Sequence, residues 1–203
     1  MRWLLLLFGG AILGGIVHLA AVMALPRTAT HDAYSRLAAS APINSVVALP
    51  PPTPDSALMP FMDPAFVSAV CRYDLTAGPL KLRVPVGPAY TSVSFYTRFD
   101  VAYYAINDRA AGRRIIELDL MTAAQHEQVP ENEEITAADR LIVESPSMTG
   151  LIAIRAMAPE PGLMPAAQAA VAAARCGIAQ PEPPPTPTPR PAPRAPEPPG
   201  RRR

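Results

Sequence analysis

The chain is short of the residues that most catalytic and metal chemistry requires. It holds two cysteines, three histidines and one tryptophan in 203 residues. Zinc fingers, iron–sulfur clusters and covalently attached haem need clustered ligands at fixed spacing, so this scarcity excludes them. No metal site and no cofactor is expected. Charge of one sign is also missing. Eighteen Lys and Arg against 17 Asp and Glu leave a net charge of +1. A nucleic-acid partner is therefore not expected, because such proteins carry a clear basic excess. There is no GxxxxGK[ST] phosphate loop and no GxSxG nucleophile elbow, which removes the commonest nucleotide and serine-hydrolase signatures.

Two things are abundant: proline, with 27 residues, and one long apolar run. The run extends from Trp3 to Leu25 without a formal charge, behind Met1-Arg2 and ahead of Pro26-Arg27. At ~1.5 Å per residue it makes a helix of about 35 Å. That exceeds the ~30 Å hydrocarbon core of a bilayer. Residues 1–27 therefore read as a transmembrane signal-anchor with the bilayer as partner, because a cleaved signal carries only ~7–15 apolar residues. The signal-like start predicts an amino terminus inside and the remainder outside the cytoplasm, which in a bacterium is the periplasm. Gly10 and Gly14 have the spacing that lets two spanning helices approach, so a transmembrane-helix dimer is a candidate contact. His18 fits a plain helix contact.

Residues 28–60 read as a short helix at 28–41, with Tyr34, Leu37, Ala38 and Ala41 in helical register, followed by a proline-rich connector. The folded unit is expected over 61–177. Six strands are predicted in it: Leu80–Val84, Thr91–Arg98, Val101–Ile106, Arg114–Leu120, Arg140–Glu144 and Leu151–Met157. Their alternation and close turns indicate a mainly β, α+β fold: a small antiparallel sandwich-like domain. A C-terminal helix follows, with Pro165 in its first turn, Ala166–Ala174 as its body, Arg175 near its end and Gly177 as its cap. Residues 178–203 are rich in proline and arginine and are predicted to be disordered.

Cys71 and Cys176 allow a single intramolecular disulfide. In an oxidising compartment it would tie the start of the β domain to the last helix. No catalytic residue stands out: His126 and the nearby Glu131, Glu133 and Glu134 read as a solvated surface. The candidate binding face is Tyr96 and Arg98 on one strand face. It extends to Tyr104 on the hairpin partner and to Asn107, Asp108 and Arg109 beyond it. Tyrosine and arginine together suit a carboxylate, phosphate or sugar.

Several phrases point to a family. They are Phe61-Met62-Asp63-Pro64, Cys71-Arg72-Tyr73-Asp74-Leu75, Ser94-Phe95-Tyr96-Thr97, Tyr103-Tyr104-Ala105-Ile106-Asn107-Asp108-Arg109 and Ala158-Pro159-Glu160-Pro161-Gly162. Over roughly residues 3–177 the chain resembles the short membrane-anchored bacterial proteins of Domain of Unknown Function 1254. The resemblance implies an envelope location and a separate small membrane protein, carrying Domain of Unknown Function 1214, as partner. It supplies no reaction. The expected role is a non-catalytic binding or assembly module of the envelope; the alternative is a hydrolase-like enzyme, or a subunit completed by a partner domain.

Overall fold

The computed structural model describes residues 1–28, 32–55, 58–59, 62–110, 114–128 and 141–179. The tail beyond Ala179 and the acidic segment 131–134 lie outside the described residues.

Helix α1 (Arg2–Thr28) is one unbroken element. Its Arg2–Leu25 part has a mean hydropathy of 2.2, none of it is buried, and it is long and apolar enough to cross a membrane. The short helix predicted at 28–41 is smaller and starts later. Asp32 caps α2 (Ala33–Arg36) by accepting a hydrogen bond from the Ser35 amide at 2.6 Å, and a 3₁₀ turn, Leu37–Ala39, ends it. The predicted apolar register holds at Tyr34, Leu37 and Ala41, which are buried.

Nine strands follow among the described residues. They are β1 (Val46–Ala48), β2 (Phe66–Asp74), β3 (Leu80–Pro85), β4 (Thr91–Thr97), β5 (Ala102–Asn107), β6 (Ile115–Thr122), β7 (Leu141–Ser145), β8 (Thr149–Met157) and β9 (Arg175–Ile178). Helices α3 (Ala123–His126) and α4 (Met164–Ala172) complete the α+β unit. One sheet has the order β1-β2-β8-β4-β5 and the other β7-β6-β3-β9. Alternation puts Val93 and Phe95 of β4, Ile152 and Ile154 of β8, and Leu80, Leu82 and Val84 of β3 into a shared core without solvent exposure. The predicted sandwich of short strands is what forms.

Three details depart from the sequence reading. The sheets are not wholly antiparallel, since β6 and β7 run parallel. The chain between them is long enough for the crossover that a parallel pair needs, whereas a tight turn is not. Helix α4 stops at Ala172, and Gly177 is no helix cap: it lies in β9 opposite Lys81 of β3. Extending the sheet satisfies the backbone groups of β3 that a longer helix would have left open. Arg175 does bond the helix end, donating to the carbonyls of Ala172 and Ala174 at 3.0 and 2.8 Å. Finally, the connector belongs to the fold, because β1 adds to β2 with Val47 opposite Val70.

The expected disulfide is present. Cys71 on β2 and Cys176 on β9 are bonded, 105 residues apart in sequence and 6.5 Å apart between Cα atoms. It joins the two sheets through the core, near α4, whose Ala167 and Val171 are buried beside it.

Candidate functional site: the outer face of the five-stranded sheet

Registry defines which residues share this face. Ser68 of β2 lies opposite Arg155 of β8, and Arg155 lies opposite Ser92 of β4. Ala153 is flanked in the same way by Val70 and Ser94. On the edge strand β5, Asn107 pairs with Ser92 and Ala105 with Ser94. The middle of the face is thus a floor of small side chains with one arginine at its centre.

One end of the face is covered. Leu37 and Ala41 pack on Val70 and Leu151, with Tyr96 against them. Two cations hold this cover down. The guanidinium carbons of Arg72 and Arg98 lie 4.2 and 4.9 Å from the Tyr34 ring centre, close enough for cation–π attraction. Arg98 also donates to Asp32 at 3.1 Å. Burial pushes the Asp32 carboxyl up, but hydrogen bonds from Ser35 and the charge of Arg98 outweigh it and hold the group below the ordinary 3.8.

Beside this cover the face is open. A cavity of about 410 Å³ lies between the sheet and the covering segment. Its apolar wall includes Leu37, Leu49, Met59, Met62, Phe66 and Leu151. Asp63 and Asp100 also line it, and both carboxylates are engaged: they accept from the Ala65 and Ala33 amides at 2.8 and 2.9 Å. A second cavity of about 320 Å³ shares Phe66 and Arg155 with the first. Its lining is polar, with Tyr90, Ser92, Ser94 and Asn107 beside Arg155 and no acidic residue among the described residues. Arg155 itself is exposed and has no side-chain hydrogen bond or ion pair among the described residues.

The residues singled out from sequence do not form one surface. Tyr96 lines the apolar cavity, and Arg98 lies beyond the end of β4 in the clamp just described. Tyr104 lies on the opposite side of the sheet, because it pairs with Phe95 and their ring centres are 5.8 Å apart. A bulge between Phe95 and Tyr96 brings Tyr103 to the same interior side, with its ring 6.1 Å from Phe95. Asn107 lines the polar cavity. Asp108 and Arg109 form the 3₁₀ turn after β5, where the Arg109 amide bonds the Asn107 side chain at 3.1 Å and Asp108 Oδ1 is buried without a partner. Arg155 was missed. Its only signal is a single charge in the aliphatic run Leu151-Ile152-Ala153-Ile154-Arg155-Ala156, and only the sheet order places it at the centre of a face.

Two clusters elsewhere resemble catalytic groupings. Tyr73 Oη sits 2.9 Å from Ser145 Oγ and 3.1 Å from Tyr103 Oη, and Ser145 donates to the Ser147 carbonyl at 2.7 Å. Burial, then the neighbouring Tyr73, pushes the Tyr103 phenol far above its ordinary value, so it stays protonated and does not serve as a base. The Tyr73, Tyr103 and Ser145 hydroxyls satisfy one another and the Ser147 carbonyl, which marks a structural network. His126 Nδ1 lies 2.7 Å from Glu144 Oε1 on the surface. No group of three or more His, Cys, Asp or Glu positioned for a metal occurs among the described residues.

The fold and face together describe an α+β sandwich with an open, amphipathic outer sheet surface. The family model described as "Protein of unknown function (DUF1254)" matches residues 43–177. The chain belongs to that family. Comparison with curated proteins returns no match. Among solved structures, the VPA0106 protein from Vibrio parahaemolyticus is similar at a TM-score of 0.52 and 15% identity, covering 78% of this chain and 39% of that one. This chain therefore spans about two fifths of that protein's length. An uncharacterized protein from Burkholderia cenocepacia matches at 18% identity and a TM-score of 0.37, over 56% of this chain and 32% of that one.

Proposed function

We propose that the protein is a membrane-anchored envelope module that binds, without transforming it, a partly apolar ligand on the outer face of its five-stranded sheet. The observation that carries this reading is the open cavity of about 410 Å³ on that face. It falls within the ~300–1,000 Å³ usual for ligand sites and has the expected character, apolar walls with a few polar groups. Tyr96 and Asn107 contribute to the two cavities of the face. The apolar α1 supports the anchor, and the Cys71–Cys176 bond supports an oxidising compartment such as the periplasm. Within the envelope the module works with a second protein, in line with the pairing that the resemblance implies.

The test has two parts. Carbonate extraction of membranes leaves the protein in the pellet; a soluble product beginning near Leu25 overturns the anchor. In nanodiscs, the full chain brightens the neutral apolar dye N-phenyl-1-naphthylamine above empty discs. Ala153→Trp, which fills the cavity, removes that gain at unchanged Tm. Equal dye uptake by both chains overturns the binding face.

A further inference from the structure

We infer that the ligand of this face is a single-chain amphiphile with a carboxylate head, such as a long-chain fatty acid, held by Arg155. The inference rests on the binding reading above and adds the chemistry of the ligand. Two cavities of opposite character meet at Phe66 and Arg155. The larger is walled by Leu49, Met59 and Met62 and accepts a hydrocarbon tail. The smaller offers the Tyr90, Ser92 and Ser94 hydroxyls, the Asn107 amide and the Arg155 guanidinium. These are donors for an anionic oxygen, and a guanidinium matches a carboxylate with two parallel bonds.

Charge fixes the direction. Asp63 and Asp100 line the apolar cavity and repel an anionic head there. Among the described residues the polar cavity has no acidic one, so the head belongs beside Arg155 and the tail runs toward Met59. Among the described residues Arg155 is the one cation lining either cavity, and no ion pair occupies it. A single cation matches a monoanion. A volume of about 410 Å³ lies near the small end of ligand sites, which favours one acyl chain over two. The face therefore selects a free acid rather than a bilayer phospholipid.

The experiment uses the full chain purified in a nonionic maltoside detergent. Three photoactivatable probes carry a diazirine in the chain: palmitic acid, hexadecanol and phosphatidylglycerol. The expected result is labelling of Met59 or Met62 by the acid, displaced by unlabelled palmitate and much weaker with the alcohol. Arg155→Gln raises the half-saturating acid concentration at least about tenfold, a loss of roughly 1.4 kcal/mol. Arg155→Lys recovers part of that loss, and the Tm of both variants stays at the wild-type value. Equal labelling by alcohol and acid, or an unaffected Arg155→Gln variant, overturns the carboxylate while leaving the apolar binding face standing. Labelling by phosphatidylglycerol in preference to the acid overturns the single-chain ligand. Labelling confined to α1 with all three probes overturns the binding face itself.

Discussion

On the inner side of the five-stranded sheet, Tyr73, Val93, Phe95, Ile152 and Ile154 have no solvent exposure. On the outer side of the same strands, Ser68, Ser92, Ser94 and Ala153 are half-buried and Arg155 is exposed. Backbone and registry are identical for both, so the contrast lies wholly in the side chains. The inner set is large, apolar and interdigitated with the second sheet. The outer set is small in the middle and apolar where α2 and the 3₁₀ turn after it cover it. A face built only to be solvated would carry long charged side chains; this one keeps a recess. Inner positions are held by packing and the uncovered outer positions are free of it, and substitutions separate the two.

The largest effect is expected at the disulfide, which ties the inner side of β2 to the other sheet. Cys71→Ala and Cys176→Ala each remove the same bond and should each cost about 2–5 kcal/mol, read as a matching fall in Tm. Thiol labelling before and after reduction should find both cysteines blocked in protein taken from oxidising conditions. Unequal Tm losses would show that one of the cysteines matters for its packing more than for the bond.

Next comes Gly150, at the start of β8. A Cβ there would collide with the Tyr96 carbonyl and the Tyr73 hydroxyl. Gly150→Ala should lower stability by about 1–3 kcal/mol, the usual cost of overfilling a core. Ser94→Val adds comparable bulk one strand away, on the outer face of β4, and should change stability by less than about 0.5 kcal/mol. Similar losses in chemical denaturation for the two variants would erase the distinction between the faces.

The same contrast decides what was legible in the sequence. Strands β3 to β8 were readable from alternating residue types and the turn residues between them, most clearly in β4, where buried Val93 and Phe95 alternate with half-buried Ser92 and Ser94. Strand β2 was missed because Ala69, Val70 and Cys71 are buried in succession. It is covered on both sides along that stretch, so alternation disappears. Strands β1 and β9 are three and four residues long, and β9 follows an alanine-rich helix in which Gly177 mimics a cap. The disulfide was legible because two cysteines allow one pairing. The outer recess was not, because it depends on β8 lying between β2 and β4, and sheet order is not written in local periodicity.

The smallest effect concerns the clamp that keeps the outer face half covered. Arg98 is 40% exposed at its side chain and Asp32 only 5%, so the pair merits no more than about 1 kcal/mol. Asp32 titrates below its ordinary 3.8 in the folded chain. A carboxylate depressed in this way contributes stability above its unfolded value and loses it as pH falls through the lower folded value. Protection factors for hydrogen exchange across residues 32–41 should therefore be high at neutral pH and begin to fall below about pH 4, with those of the rest of the sandwich unaffected. Asp32→Asn keeps a good helix-capping side chain but removes the charge facing Arg98. It should show lower protection than wild type at neutral pH and no further loss of protection in this segment on acidification. If the variant retained the wild-type acid profile, the cover would be held by Tyr34 and Leu37 packing alone, and the Arg98–Asp32 pair would have no part in shaping the cavity mouth.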